Sequence, residues 1–194
     1  MVSPKSSVLS SKVAVLIPAY NESNRIQKVI EECKSIFSTI VVVDDGSTDD
    51  TYQVARNAGA TFVLRQCLNF GQGSALTTGF KFCLETCQFD FLITFDADGQ
   101  HRLNDAAEMA LFAIEGNSDA VFGSRFLDNT QRTAMPKIRR AFLKLAVKFE
   151  SCIYGFKLTD SHNGLRVLSR RACAALTNAS LGYGPCDRNS FIAL

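Results

Sequence analysis

The sequence has little net charge and no paired cysteine motif, and each absence argues against a class of protein. Its 194 residues carry a formal charge of +2 at neutral pH, so nucleic acid binding has no electrostatic support. The seven cysteines include no CxxC pair, which argues against a zinc site and against a disulfide framework. We therefore predict buried thiols in a reducing, cytoplasmic compartment and no nucleic acid partner.

Long hydrophobic runs are also missing. No stretch approaches the roughly 18 apolar residues of a membrane-spanning helix, and residues 1–12 are rich in serine without the apolar core of a signal peptide. We expect a polar amino-terminal tail over residues 1–12 and a single domain over residues 13–194. Hydrophobic residues make up 46% of the chain, which is enough for a real core.

Short apolar runs alternate with amphipathic segments along the chain. Strands are predicted at residues 13–17, 40–43, 61–64, 91–95 and 120–122, and helices at 23–36, 48–58, 74–87 and 103–114, with a last helix beginning at Arg170. This alternation predicts an α/β fold with a mostly parallel sheet that helices cover on both faces. Ligands of such sheets bind at the carboxyl ends of the strands.

The most informative segment is FLITFDADGQ at residues 91–100, where an apolar strand stops at two carboxylates and an amide. In extended backbone the side chains of Asp96, Asp98 and Gln100 point to one side. Hard oxygen ligands in this place suit Mg²⁺ or Mn²⁺ bound to a diphosphate. The alternative is an ordinary polar loop, since Asp, Gly and Gln are common turn residues. We interpret His101 as a surface histidine, because these ions prefer oxygen.

Polar side chains follow two other predicted strands, in PAYNE at residues 18–22 and in DDGST at residues 44–48. The second segment has two interpretations. Either Asp44 orders the strand end while Asp45 faces a ligand, or Asp45 and Gly46 form a turn before a hydroxyl that caps the next helix. The sequence alone leaves both open.

Gly71, Gln72 and Gly73 precede a predicted helix. Free N–H groups at a helix start are suited to bind a phosphate or a sugar. The signal is weak by itself, because no complete P-loop or dinucleotide fingerprint is present. Gly73 also fits as a residue that eases the turn into the helix.

Six motifs occur in a fixed order: VAVLIPAYNES, VVVDDGSTDDT, LNFGQGSALTTGF, FDADGQ, GSR and DSHNGLRVLSRRA. Together they resemble the family 2 glycosyltransferases with the GT-A fold, and most of all the polyprenyl- and dolichyl-phosphate sugar transferase branch. The resemblance implies a metal-dependent, inverting transfer of a hexose from a UDP- or GDP-sugar to polyprenyl phosphate, with Mg²⁺ or Mn²⁺ as cofactor. Two alternatives stay open: transfer to a saccharide hydroxyl in cell-surface polysaccharide assembly, and a nucleotide-sugar-binding module without turnover.

The resemblance also implies roles for individual residues. Those that would bind the nucleotide-sugar are Pro18, Ala19, Tyr20, Glu22, Asp45, Gly73, Asp96 and Ala97. Those that would bind the metal are Asp96, Asp98 and Gln100, and those implied to be catalytic are Asp98, Arg125 and Arg166. Asp45 would accept hydrogen bonds from the edge of the base, and the two arginines would face phosphate. A solvated loop arginine is the alternative for Arg125.

Residues 132–149 contain six cations and no acid, interleaved with apolar residues. The pattern predicts a helix with a cationic side and a broad apolar side. Such a helix either packs on the domain with solvated lysines or makes peripheral contact with a membrane interface. The resemblance favours the second interpretation, because it implies that this region lies close to the lipid acceptor.

The chain departs from the resembled family at residues 181–194, where Asp187 is the only carboxylate. Relatives generally continue further, some with an acidic residue that acts as base, so we expect part of the usual carboxyl terminus to be missing. A phosphate monoester, with a second pKa of about 6, attacks without a base. A lipid-phosphate acceptor therefore fits this sequence better than a hydroxyl acceptor.

Overall fold

The computed structural model describes residues 4–99, 102–123 and 165–181. Its strands are β1 (Val13–Ala19), β2 (Thr39–Asp44), β3 (Phe62–Arg65), β4 (Phe91–Thr94), β5 (Ala120–Phe122) and β6 (Arg166–Ser169). Its helices are α1 (Pro4–Lys12), α2 (Ile26–Lys34), α3 (Thr51–Asn57), α4 (Gln72–Thr86), α5 (Leu103–Gly116) and α6 (Arg170–Leu181).

The six strands form one mixed sheet in the order β3-β2-β1-β4-β6-β5. Strand β1 lies at the centre and pairs in parallel with β2 and β4, and β2 pairs in parallel with β3. Strand β6 runs antiparallel to both of its neighbours, β4 and β5. The predicted α/β fold with a mostly parallel sheet is confirmed, and β6 is an element that the sequence analysis did not predict.

Each face of the sheet carries its own hydrophobic core. All seven residues of β1 are buried. On one face Val15 and Ile17 of β1 pack with residues of α1, α2, α3 and α5, and on the other Ala14 and Leu16 pack with residues of α4 and α6. Successive strand residues point to opposite faces, so an uninterrupted apolar strand requires helices on both sides, as predicted.

Helix α4 lies very close to β1 because residue 79 is glycine. A Cβ atom at Gly79 would stand 2.3 Å from Cδ1 of Leu16, a distance that no real side chain tolerates. In right-handed crossover connections, the helix between two parallel strands runs antiparallel to them. Helix α4 therefore begins at the edge of the sheet where β1 ends. This packing brings the start of α4 to the ligand-binding edge.

The segment expected to be a polar tail contains helix α1. Its residues are mostly polar, but Leu9 is only 3% exposed and belongs to the core. The helix packs against β1 and α5. One buried leucine is a weak signal in a serine-rich segment, and this explains why the sequence pattern did not predict the helix.

The cysteines agree in part with the expected buried thiols. Free thiols are found at Cys33, Cys67, Cys83, Cys87 and Cys173, and of these Cys67 is exposed. Burial raises the pKa of the Cys33 and Cys173 thiols to about 12, so both stay protonated at neutral pH. Within the described ranges, no helix combines the length and the hydrophobicity that a membrane crossing requires.

Candidate active site

A cleft of about 300 Å³ opens at the carboxyl ends of β1, β2 and β4. Its lining residues are Pro18, Ala19, Tyr20, Glu22, Asp45, Gln72, Ala75, Asp96, Ala97 and Asp98. The register explains why these strand ends meet. Ala19 pairs with Asp44 where β1 and β2 end, and Leu16 pairs with Thr94 where β4 ends. The sheet therefore brings together three polar segments that are far apart in sequence.

The loop after β1 is hydrogen-bonded to the loop after β2. Asn21 has a left-handed backbone, with a φ of 55°, and its N–H donates to Ser47 Oγ at 2.9 Å. In return, the Asn21 side-chain oxygen accepts a hydrogen bond from the Thr48 N–H at 2.9 Å. Asparagine tolerates this backbone conformation better than most residues. These bonds fix the wall of the cleft that carries Tyr20.

Two more hydrogen bonds connect the same loops. The Glu22 N–H donates to Thr51 Oγ1 at 2.8 Å, and the Ser23 N–H donates to Asp49 Oδ2 at 3.1 Å. Desolvation would raise the pKa of the Asp49 carboxyl, but hydrogen bonds from Thr51 and Ser23 outweigh it and lower that pKa from 3.8 to about 2. These loop contacts explain why α2 and α3 begin three residues later than predicted, at Ile26 and Thr51.

Asp44 holds the end of β2 and does not line the cleft. It is fully buried. Its Oδ1 accepts a hydrogen bond from the Ser47 N–H at 3.0 Å, and its Oδ2 lies 3.2 Å from Nε of Arg65. Arg65 also donates to the Ser47 carbonyl at 3.0 Å. The interpretation of Asp44 as the residue that orders the strand end agrees with these contacts.

Asp45 lines the cleft and also anchors the loop that precedes α4. It is 3% exposed. Its Oδ1 accepts a hydrogen bond from the Phe70 N–H at 2.9 Å, and its Oδ2 accepts one from the Gly71 N–H at 2.8 Å. The hydroxyl cap of the alternative interpretation is not observed, because the residue that precedes α3 is Asp50 and it makes no side-chain cap.

Gly46 allows the loop that precedes α4 to pack closely against the end of β2. Its φ is +69°, and a Cβ atom there would stand 2.4 Å from the carbonyl carbon of Leu68. Only glycine permits both this backbone conformation and this approach. Residues 66–71 therefore pack directly onto the end of β2, which places the start of α4 beside the cleft.

The start of α4 contributes Gln72 and Ala75 to the cleft, whereas Gly73 is not among the lining residues. The preceding residue, Gly71, provides no side-chain cap, and the Asp45 carboxylate accepts a hydrogen bond from its N–H. The resemblance implied a role for Gly73, whereas the residue of the GQG segment that lines the cleft is Gln72, between the two glycines. Gln72 Nε2 donates to Asp96 Oδ1 at 3.0 Å.

Asp96 and Asp98 both lie in the cleft, as expected. The described residues contain no cluster of three or more His, Cys, Asp or Glu side chains placed to hold a metal. Mg²⁺ commonly takes one or two carboxylates together with water and substrate phosphates, and this aspartate pair in the cleft fits that pattern. Gln100 and Arg125, which were predicted to act here, and His101 lie outside the described residues.

Arg166 lies at the same edge of the sheet. It is the first residue of β6 and pairs with Thr94 at the end of β4. It is not among the residues that line the cleft within the described part of the chain. Arg170, which directly follows β6, has a structural role, because it donates to the carbonyl oxygens of Leu84 and Cys87. Helix α6 begins at Arg170, as predicted. The basic segment 132–149 lies outside the described residues.

A mixed α/β sheet with acidic strand ends around a cleft agrees with the GT-A architecture that the sequence motifs predict. Residues 14–177 match the family described as Glycosyl transferase family 2, and the chain belongs to that family. The predicted resemblance and the predicted fold are thereby confirmed.

Two relatives and one solved structure illustrate the similarity. An uncharacterized protein of Methanocaldococcus jannaschii is 36% identical over 83% of this chain and 66% of its own length. The UDP-N-acetylglucosamine–dolichyl-phosphate N-acetylglucosaminyltransferase of Methanococcus voltae is 31% identical over 93% of this chain and 79% of its own length. Glucosyl-3-phosphoglycerate synthase of Mycobacterium tuberculosis, crystallised with Mn²⁺, UDP and glucosyl-3-phosphoglycerate, superposes with a TM-score of 0.59 at 21% identity, covering 88% of this chain and 61% of that one.

The chain spans only part of these proteins. It covers 66% of the first relative and 61% of the solved structure. At 21% identity, the structural likeness shows the fold alone.

Proposed function

We propose that this protein is a metal-dependent, inverting glycosyltransferase that moves a hexose from a UDP- or GDP-sugar to polyprenyl phosphate. The observation that carries the proposal is the convergence of Asp45, Asp96 and Asp98 on one cleft of about 300 Å³. A nucleotide-sugar has a base at one end and a diphosphate at the other. The cleft offers an acidic side chain for each end.

The end of the cleft formed by β1 and β2 suits the base. Pro18 and Tyr20 present apolar surface there, and Tyr20 is 42% exposed, which leaves its ring accessible for stacking. Each oxygen of the Asp45 carboxylate has two lone pairs, and the loop N–H groups engage one on each oxygen. The remaining lone pairs would accept hydrogen bonds from N–H groups on the edge of a base. Glu22 and Ala19 complete this wall.

The end of the cleft formed by β4 suits the diphosphate. Asp96 and Asp98 would hold Mg²⁺ or Mn²⁺, with Gln100 as a further candidate ligand, and Ala97 leaves room between the two carboxylates. When bound, the ion offsets the negative charge that accumulates on the departing nucleoside diphosphate. Arg125 and Arg166 would add permanent positive charge on the phosphate side.

With the proposed acceptor, transfer requires no protein group to remove a proton. An oxygen of the lipid phosphate attacks the anomeric carbon as the bond from that carbon to the nucleoside diphosphate breaks, and attack from the opposite face inverts the configuration. At neutral pH a phosphate monoester carries between one and two negative charges, so no proton has to be removed from the attacking oxygen. The relative from Methanococcus voltae, named as a dolichyl-phosphate transferase, supports this acceptor.

The acceptor also implies a place of action. We propose that the protein works at the cytoplasmic face of a membrane and that residues 132–149 contact anionic headgroups. The protein should then pellet with anionic vesicles at low salt and be recruited poorly by neutral vesicles, because charges at a surface are screened over about 10 Å at 0.1 M ionic strength. Absence of cosedimentation at low salt would contradict the membrane contact.

The decisive experiment is an assay of products. The protein is offered labelled UDP- and GDP-hexoses together with polyprenyl phosphate, with MnCl₂ or with EDTA, and lipid products are separated by thin-layer chromatography. We expect label in the lipid fraction with metal and none with EDTA. Parallel reactions with oligosaccharide acceptors test the hydroxyl alternative. Donor binding without transfer to either acceptor would contradict the proposed activity and favour a binding module.

A further inference from the structure

The start of α4 is bonded to both sides of the cleft through two consecutive residues. On the β2 side, the Gly71 N–H donates to Asp45 Oδ2 at 2.8 Å. On the β4 side, Gln72 Nε2 donates to Asp96 Oδ1 at 3.0 Å. Gln72 itself lines the cleft. The two ends of the cleft are therefore connected by a short chain of hydrogen bonds that passes through the helix start.

The position of the Gln72 backbone is fixed by structure on both sides of it. The N–H groups of Ser74 and Ala75 donate to the Gly71 carbonyl at 3.0 and 3.2 Å, which makes Gln72 part of the first helical turn. Asp45 holds the preceding residue. The amide of Gln72 therefore reaches Asp96 from a rigid helix, and rigid elements position side chains better than loops do.

We propose that Gln72 is a positioning residue, which holds the Asp96 carboxylate in the orientation needed for the metal and diphosphate of the donor. The inference rests on the function proposed above and adds a residue to it. A carboxylate at the end of a strand can rotate about two bonds, and a donor on one oxygen restricts that rotation. Residues that orient a metal's ligands in this way typically contribute about 10–100-fold to metal affinity or activity.

Three substitutions separate the hydrogen bond from other properties of Gln72. Gln72→Met keeps the length of the side chain but removes the donor, and we expect metal-dependent nucleotide binding to weaken about 10-fold, the low end of the range because the site is open to water. Gln72→Glu replaces the donor with a carboxylate that can itself attract Mn²⁺, so it should weaken metal-dependent binding less than Gln72→Met does. Gln72→Lys keeps a donor but places a positive charge beside the Mn²⁺ site, so metal-dependent binding should also weaken.

The measurement is calorimetric titration of the protein with UDP and with GDP, each with and without MnCl₂, together with electron paramagnetic resonance of free Mn²⁺. The matched control is Gln53→Met on α3, because Gln53 makes a similar exposed hydrogen bond of 2.9 Å, to Asn57. In Gln72→Met we expect weaker binding of Mn²⁺ and of the metal-nucleotide pair, with unchanged metal-free nucleotide affinity. The control should match wild type in every titration.

The outcomes distinguish this inference from the proposed function. If wild-type protein binds both nucleotides equally with and without Mn²⁺, the proposed metal-dependent function fails, and the inference fails with it. If wild type shows the metal dependence and Gln72→Met retains it in full, only the inference is overturned. An equal loss of metal-free and metal-dependent binding would also overturn it, because that pattern marks a general distortion of the cleft.

Discussion

Replacing Asp45 tests how the cleft is built and how it binds its ligand. The carboxylate accepts hydrogen bonds from the N–H groups of Phe70 and Gly71 at 2.9 and 2.8 Å while being 3% exposed. A hydrogen bond to a charged group contributes about 1.5–3 kcal/mol. Phe70 is 58% exposed, so water can replace part of the hydrogen bonding that its N–H loses when the carboxylate is removed. We therefore expect Asp45→Ala to destabilise the fold by about 2–4 kcal/mol.

A loss of that size should lower the thermal midpoint by about 5–15 °C, since domains of this size lose about 2–4 °C per kcal/mol. Calorimetry with UDP and GDP at saturating Mn²⁺ should show affinity reduced by about 10-fold or more, because the proposed ionic acceptor for the base is removed. Asp50→Ala is the control: Asp50 is exposed, precedes α3 and makes no side-chain cap. It should cost less than about 1 kcal/mol.

The two measurements refute different parts of the reasoning. An unchanged midpoint would show that Asp45 does not anchor the loop before α4. A lowered midpoint with unchanged nucleotide affinity, measured well below the transition, would limit Asp45 to that anchoring role. We expect Asp45→Ala to lower both the thermal midpoint and the nucleotide affinity. Asp50→Ala should leave the nucleotide affinity unchanged and lower the midpoint much less.

Three further predictions concern the metal, a glycine and acid stability. Asp98→Ala should abolish the difference between nucleotide binding with and without Mn²⁺, and a variant that retains the difference in calorimetry would contradict the assignment of Asp98 to the metal. Gly46→Ala should destabilise the fold by about 2 kcal/mol or more in urea unfolding, because its Cβ atom meets loop backbone at 2.4 Å with a φ of +69°. Gly73→Ala is its control: nothing lies within 4 Å of the added atom, so stability should be unchanged or raised by up to about 1 kcal/mol, and equal losses in both variants would refute the steric argument. The pKa of Asp49 is lowered to about 2 in the folded state, so its stabilising contribution is complete above pH 4 and is lost as pH falls from about 4 to about 2. Asp49→Asn should cost on the order of 1–2 kcal/mol at pH 7, after allowance for solvent screening, and flatten the stability profile between those pH values; a profile parallel to that of wild type would contradict the role of the carboxylate.

Local sequence patterns were sufficient for the central sheet and for the place of the cleft. Strands β1, β2 and β4 are short runs of apolar, β-branched residues bounded by polar turn residues, a pattern typical of buried strands. Because parallel strands share one carboxyl edge, the acidic residues after β2 and β4 had to face the same side of the molecule. The sequence therefore predicts that Asp45, Asp96 and Asp98 lie at one edge of the sheet, and the cleft lining agrees with this.

Only the tertiary structure decided what these side chains contact. Asp45 meets the Gly71 N–H across 26 residues, and Gln72 meets Asp96 across 24, and neither separation leaves a periodic signal in the sequence. The same holds for position 46, which requires glycine because a loop that follows another strand packs against it. Helix α1 and strand β6 also depend on tertiary packing, because Leu9 and Val167 are surrounded by apolar residues only in the assembled core. Local residue types therefore specify which segments become strands, whereas hydrogen-bond partners depend on where the packed sheet and helices bring distant backbone and side chains together.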